Sequence, residues 1–162
     1  MLRVTKTLLI LSVAAWGAVG AFLNVVNWEG TLTSVTAATS MSTFEGGADS
    51  WQATSNALVM WLGAIFIAGS KVGAAVFCVL GALRMWHARA ADVHAFRAAK
   101  ELALVGCGIA VFMLFSGFIV VAESWFEMWR SEFLRAASLE SAFRYAGMIT
   151  LIALFVAMPE ES

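Results

Sequence analysis

Three stretches of the chain run for the thickness of a bilayer with at most one charge: residues 7–26, twenty residues without one; residues 57–83, twenty-seven with Lys71 alone; and residues 102–122, twenty-one uncharged. Nothing constrains the fold more, because about 20 apolar residues at roughly 1.5 Å rise cross a hydrocarbon core of roughly 30 Å. A fourth stretch is shorter, fourteen uncharged residues from Tyr145 to Met158. It spans if residues 142–144 join it and Arg144 snorkels to the interface. Glu140 and Arg144 at i, i+4 suit a helix start there, and Pro159 suits its end. A composition 61% apolar and 13% charged, with one proline, excludes an ordinary soluble domain.

The sequence therefore predicts an all-α, integral membrane four-helix bundle in one domain, residues 1–162, with spans at about 7–26, 57–83, 102–122 and 142–158. Arg3, Lys6, Arg84, Arg89, Arg97 and Lys100 fall on one side; Arg130, Arg135 and Arg144 fall on the other. The positive-inside rule makes the first side cytoplasmic, with both termini on it. Residues 1–21 have a basic start, an apolar stretch and the small residues AVGA of a signal peptide. They are read as an uncleaved first helix. A long outer loop, residues 28–55, follows that helix, and an amphipathic outer segment joins the third helix to the fourth.

Lys71 is the residue to explain. At 100° per residue, Gly69 and Gly73 share one side of their helix and form a small-xxx-small packing seam. Lys71 lies nearly opposite, on a face with Met60, Ala64, Ile67, Ala75, Cys78 and Ala82 that also suits packing against protein. From the cytoplasmic boundary near Arg84, Lys71 sits about 10 Å below the outer surface. Three readings stand: a snorkelling or internally paired lysine, with Glu123 the best acid; a lysine paired with a carboxylate or lipid phosphate on a partner subunit; and a ligand or ion site. Since no other acid lies in an apolar run, a proton pump is argued against.

Trp28, Trp51, Trp61, Trp125 and Trp129 fall at or near the outer surface, as an aromatic belt does. Within residues 123–131, Trp125 and Trp129 share one helical face while Glu123, Glu127 and Arg130 share another, the pattern of a helix lying in the interface with local ion pairs. Catalysis and cofactors find no support. His87 and His94 are loop residues, so no axial haem ligands face each other in the bundle, and with Asp92 they make a poor metal set. Cys78 and Cys107 match no zinc spacing and are read as reduced packing residues. No serine, histidine and acid gather on one side, no phosphate loop occurs, and a transport path would have too few polar groups.

The chain also resembles a family of small bacterial integral membrane proteins, domain of unknown function 2165, nearly end to end. The resemblance is carried by SMSTF at residues 40–44 with Trp51, GALRMWHAR at 81–89, AFRAAK at 95–100, GF at 117–118, ESWFEMWRS at 123–131, AFRY at 142–145 and the closing MPE. It implies four helices in a bacterial inner membrane and no established activity. It also leads one to expect a glutamate at position 71 and a Met-Asp-Thr-Thr-like stretch where Met41, Ser42 and Thr43 stand. The expected function is a non-catalytic accessory or structural subunit, without cofactor or nucleic acid, that packs in the bilayer against a larger respiratory or photosynthetic complex. The alternative is a lipid- or quinone-binding protein using Lys71, Glu123 and the outer tryptophans, with Arg144 a further partner candidate.

Overall fold

The computed structural model describes residues 1–160. Four helical stretches are long and apolar enough to cross a membrane. They are α1, Leu2–Val26; α3, Ala57–His87; α5, Glu101–Phe112, which continues as a π-helix, Met113–Trp125; and α7, Glu140–Ala157. Between them lie α2, Trp28–Thr39; α4, Val93–Ala99; and a short α6, Glu132–Leu134, followed by a π-helical stretch, Arg135–Leu139. No strand occurs among the described residues.

The bundle is built around α3, which packs against α1 on one side and α5 on the other, while α7 closes on α5 and its π-helical continuation. Its core is made of small side chains: Ala64, Ala74, Ala75, Cys78 and Ala82 of α3 are buried with Ala103, Cys107 and Ala110 of α5. Small residues let backbones approach in lipid, where dispersion and not hydrophobicity holds helices together. The close seams are therefore not at Gly69 and Gly73. Nothing lies within 4 Å of where a Cβ on Gly69 would be, and one on Gly73 would meet only Ile109 at 3.8 Å. The glycines that matter are Gly81 of α3 itself, where a Cβ would overlap the Ala103 backbone, and two on the facing helices: a Cβ on Gly17 would sit 2.9 Å from the Lys71 carbonyl oxygen, and one on Gly106 would sit 2.6 Å from Cys78 Sγ. The face of α3 that carries Lys71 is the packed one.

The long connection after α1 is not simply a loop. Asn27 ends α1 and starts α2, its side chain accepting from the Gly30 amide at 3.3 Å, and Glu29 stands in the first turn, where a negative charge favours the helix dipole. The segment has no hydrophobic run to announce it, but it contains no proline, and its one glycine, Gly30, falls in the first turn. Beyond it, residues 40–56 fold against the end of the third span. Trp51 meets Trp125 edge-on at 5.2 Å, the guanidinium of Arg130 lies 4.6 Å from the Phe44 ring, and Arg130 also donates to the Glu45 carbonyl.

That arrangement replaces the single amphipathic helix expected over residues 123–131. The third span keeps turning to Trp125, Phe126 ends it, and Glu127 takes a left-handed conformation at φ 47° before a short 3-10 turn, Met128–Arg130. Trp125 and Trp129 thus belong to different elements and share no helical face. The local pairing survives as Arg130 to Glu127 at 2.8 Å. α7 begins at Glu140 as the sequence suggests, but Arg144 donates to Ser141 Oγ at 3.1 Å and forms no ion pair among the described residues.

Candidate functional site

Asn24, near the end of α1, and Lys71, in the middle of α3, face each other across the bundle, and Lys71 Nζ donates to Asn24 Oδ1 at 2.7 Å. The orientation of that amide follows from its other partner. The Thr31 hydroxyl lies 3.1 Å from the Asn24 carbonyl and 3.2 Å from the Asn27 carbonyl, to which it can only donate, so its oxygen accepts from Asn24 Nδ2 at 2.9 Å. With its nitrogen so engaged, Asn24 is left to offer its oxygen to the lysine.

The lysine stem crosses α1 at Gly20, where a Cβ would come 3.1 Å from Lys71 Cδ and 3.4 Å from Nζ. Gly20 is a trough for the side chain. Lys71 and Asn24 face a partly open cavity of about 620 Å³ between α1, α2, α3 and the third span. Its walls are largely apolar, with Phe66 and Ile67 from α3, Val35 from α2, and Phe112, Phe118 and Val121 from the third span. Thr31, Ser34, Ser116 and Ser138 add hydroxyls, and no aspartate or glutamate lines it. A volume of roughly 300–1,000 Å³ with apolar walls and a few placed polar groups is the general form of a small-molecule site. One wall is a 13-residue π-helix, a geometry that is rare and concentrates at functional sites.

The structure does not bring Lys71 and Glu123 together. Ion pairs among the described residues are Lys6 and Lys100 with Glu160, and Arg130 with Glu127; Glu123 is half-buried at the end of the third span and lines no part of the cavity. Trp125 and Trp129 are exposed and also lie outside it. Of the residues expected to form a pocket, only Lys71 does so. Sequence reasoning missed Asn24 and Gly20. Asn24 was visible as a polar residue in an apolar run, seven positions from its partner Thr31, but its register against Lys71 depends on how α1 packs.

A second charged cluster lies at the end of the bundle where both ends of the described chain meet. Pro159 follows the last turn of α7 and brings Glu160 back over it, where Glu160 Oε1 accepts from Lys6 at 2.7 Å and from Lys100 at 2.8 Å. Both ammoniums also donate to the Met158 carbonyl, at 2.6 and 2.9 Å. Their side chains are 1% and 3% exposed and that of Glu160 is 5% exposed. Burial by itself pushes the Glu160 carboxyl up, but the hydrogen bonds from Lys100 and Lys6 outweigh it and hold the group below the usual carboxylate range. Glu160 Oε2 is buried without a partner among the described residues. This cluster ties α1, the α4–α5 corner and the tail together, and it reads as a structural clasp.

The remaining candidates are packing or capping groups. Cys78 and Cys107 are free and buried between α3 and α5, with Cys78 Sγ 3.8 Å from the Ala103 carbonyl. Asp92 caps α4 by accepting from the Ala95 amide at 2.9 Å, which lowers its carboxyl pKa, and His87 Nδ1 lies 2.7 Å from the Leu83 carbonyl. No group of three or more histidine, cysteine, aspartate or glutamate side chains gathers to hold a metal among the described residues.

The model of the family described as predicted small integral membrane protein (DUF2165) matches residues 2–159, and the chain belongs to that family. No curated protein and no solved structure matches it.

Proposed function

We propose that this member of the DUF2165 family, a multi-pass integral membrane protein, is a non-catalytic binding protein that holds a small amphiphile within the bilayer. One observation carries the reading: Lys71, the lone charge of residues 57–83, opens on a cavity of about 620 Å³ with apolar walls and no acidic side chain. A charged group at such depth costs at least about 2.5 to 3.5 kcal/mol, and a residue kept at that cost usually serves a partner or ligand. The expected setting is the inner membrane of a bacterium, with the cavity in the outer half. Native mass spectrometry of protein extracted gently from its own membranes tests this. A single amphiphile retained on the wild type and lost when Gly20→Leu fills the trough supports the proposal; a chain free of any bound amphiphile from every preparation refutes it.

A role as accessory subunit of a larger respiratory or photosynthetic complex rests on a different observation. Gly69 of α3 leaves a notch facing out of the bundle, with nothing within 4 Å of a Cβ there, and such a notch admits a neighbouring helix. Co-purification with a larger complex at fixed stoichiometry, abolished by Gly69→Leu, is the outcome that reading requires.

A further inference from the structure

We infer that the ligand of the Lys71 cavity is a single-chain amphiphile with a carboxylate head, of the fatty acid class, an inference that rests on the amphiphile-binding reading above. The first argument is charge. Lys71 brings one positive charge to a cavity lined by no aspartate, glutamate, arginine or second lysine. Its described polar partner is the neutral Asn24 oxygen, which solvates an ammonium without neutralising it. A monoanion supplies the missing charge, and in a low-dielectric site that pairing is worth far more than in water.

The second argument is donor number. An ammonium has three N–H donors, and Asn24 takes one at 2.7 Å. Two remain, which with the Ser116 hydroxyl on the same cavity match the two oxygens of a carboxylate. A phosphate carries more oxygens and more charge, and is ordinarily met by a guanidinium fork; no arginine lines the cavity. A quinone has acceptor oxygens but no charge, and would leave the ammonium unneutralised.

The third argument is size. About 620 Å³ falls in the range of single small-molecule sites, and the aromatic side chains Phe66, Phe112 and Phe118 on its walls suit one flexible alkyl chain.

The experiment uses the full chain in nanodiscs of neutral phosphatidylcholine, with palmitate, methyl palmitate, hexadecyl phosphate and a short-chain ubiquinone as probes. Binding is read by native mass spectrometry and by competition with a spin-labelled stearate. Palmitate is expected to bind wild type about tenfold or more tightly than methyl palmitate. Lys71→Met, which removes a costly membrane charge and so preserves the fold, should abolish that preference while leaving the weak binding of the ester; Lys71→Arg should retain it. Equal affinity for acid and ester on the wild type, or a preference unchanged in Lys71→Met, overturns the carboxylate assignment. Tighter binding of hexadecyl phosphate or of the quinone overturns it too, and leaves the amphiphile reading standing. If no probe binds the wild type, both fall together.

Discussion

Glu160→Gln isolates what the clasp at the chain ends is worth. The change keeps the shape of the side chain and removes its charge, leaving Lys6 and Lys100, 1% and 3% exposed, as two ammoniums facing each other in a shared pocket. Breaking a buried ion pair by removing one partner costs about 3–5 kcal/mol, mostly the penalty of the stranded charge. The lower end applies here, because the cluster lies at an end of the bundle, where small movements let the lysines reach water or headgroups. A loss of about 3 kcal/mol corresponds to a fall in Tm of roughly 6–12 °C for a chain of this size. Near-ultraviolet dichroism or tryptophan fluorescence in a mild detergent at pH 7 follows it. The triple change Lys6→Leu, Lys100→Leu, Glu160→Leu should recover most of the loss, since replacing a whole buried ionic cluster by apolar side chains is often neutral. Glu160→Gln melting within about 2 °C of wild type would refute the reasoning.

Acid should undo the same clasp: the folded pKa of Glu160 is depressed, so its contribution is fully present above the unfolded value of about 4.3 and is lost as pH falls through the lower folded value. The Tm gap between wild type and Glu160→Gln is therefore expected to hold from pH 7 to about 5 and to close below about 4, read in the same melts. Gly106→Ala should cost about 1–3 kcal/mol by driving a methyl group into Cys78, whereas Gly69→Ala, with nothing within 4 Å, should stay within about 0.5 kcal/mol of wild type or gain slightly; the reverse order would restore the seam expected from sequence. In double-mutant cycles in detergent, Lys71→Met with Glu123→Gln should be additive, while Lys71→Met with Asn24→Ala should show a coupling of about 0.5 kcal/mol or more.

The four spans were legible because hydrophobic length is a local property, and a run such as residues 102–122 can only be placed in one way. The packed face of α3 was legible too, since Ala64, Ala75, Cys78 and Ala82 follow from helical spacing. What was not legible depends on partners distant in sequence. Gly17 and Gly106 look no different from Gly69 until α1 and α5 are set against α3. α2 is a helix by capping and with no proline to break it, not by periodicity, so a hydropathy reading passes over it. The π-helix is invisible for a related reason: residues 113–125 are as apolar as the residues before them, and the wider turn shows only in bonds such as Phe126 N to the Val121 carbonyl at 3.0 Å. Lys71 was singled out by its isolation, but the choice among its possible partners required knowing that Asn24, 47 positions away, and not Glu123, stands across from it.

The clasp also sets an order on assembly. Glu160 follows Lys6 by 154 positions, and at a synthesis rate of about 5–20 residues per second the first helix waits roughly eight to thirty seconds for its counter-ion. During that interval the Lys6 ammonium lacks its counter-ion and favours the membrane surface over the interior. Glu160 is thus the last member of the cluster to be made, and a chain whose fourth helix ended on the other side would leave Lys6 and Lys100 without that carboxylate.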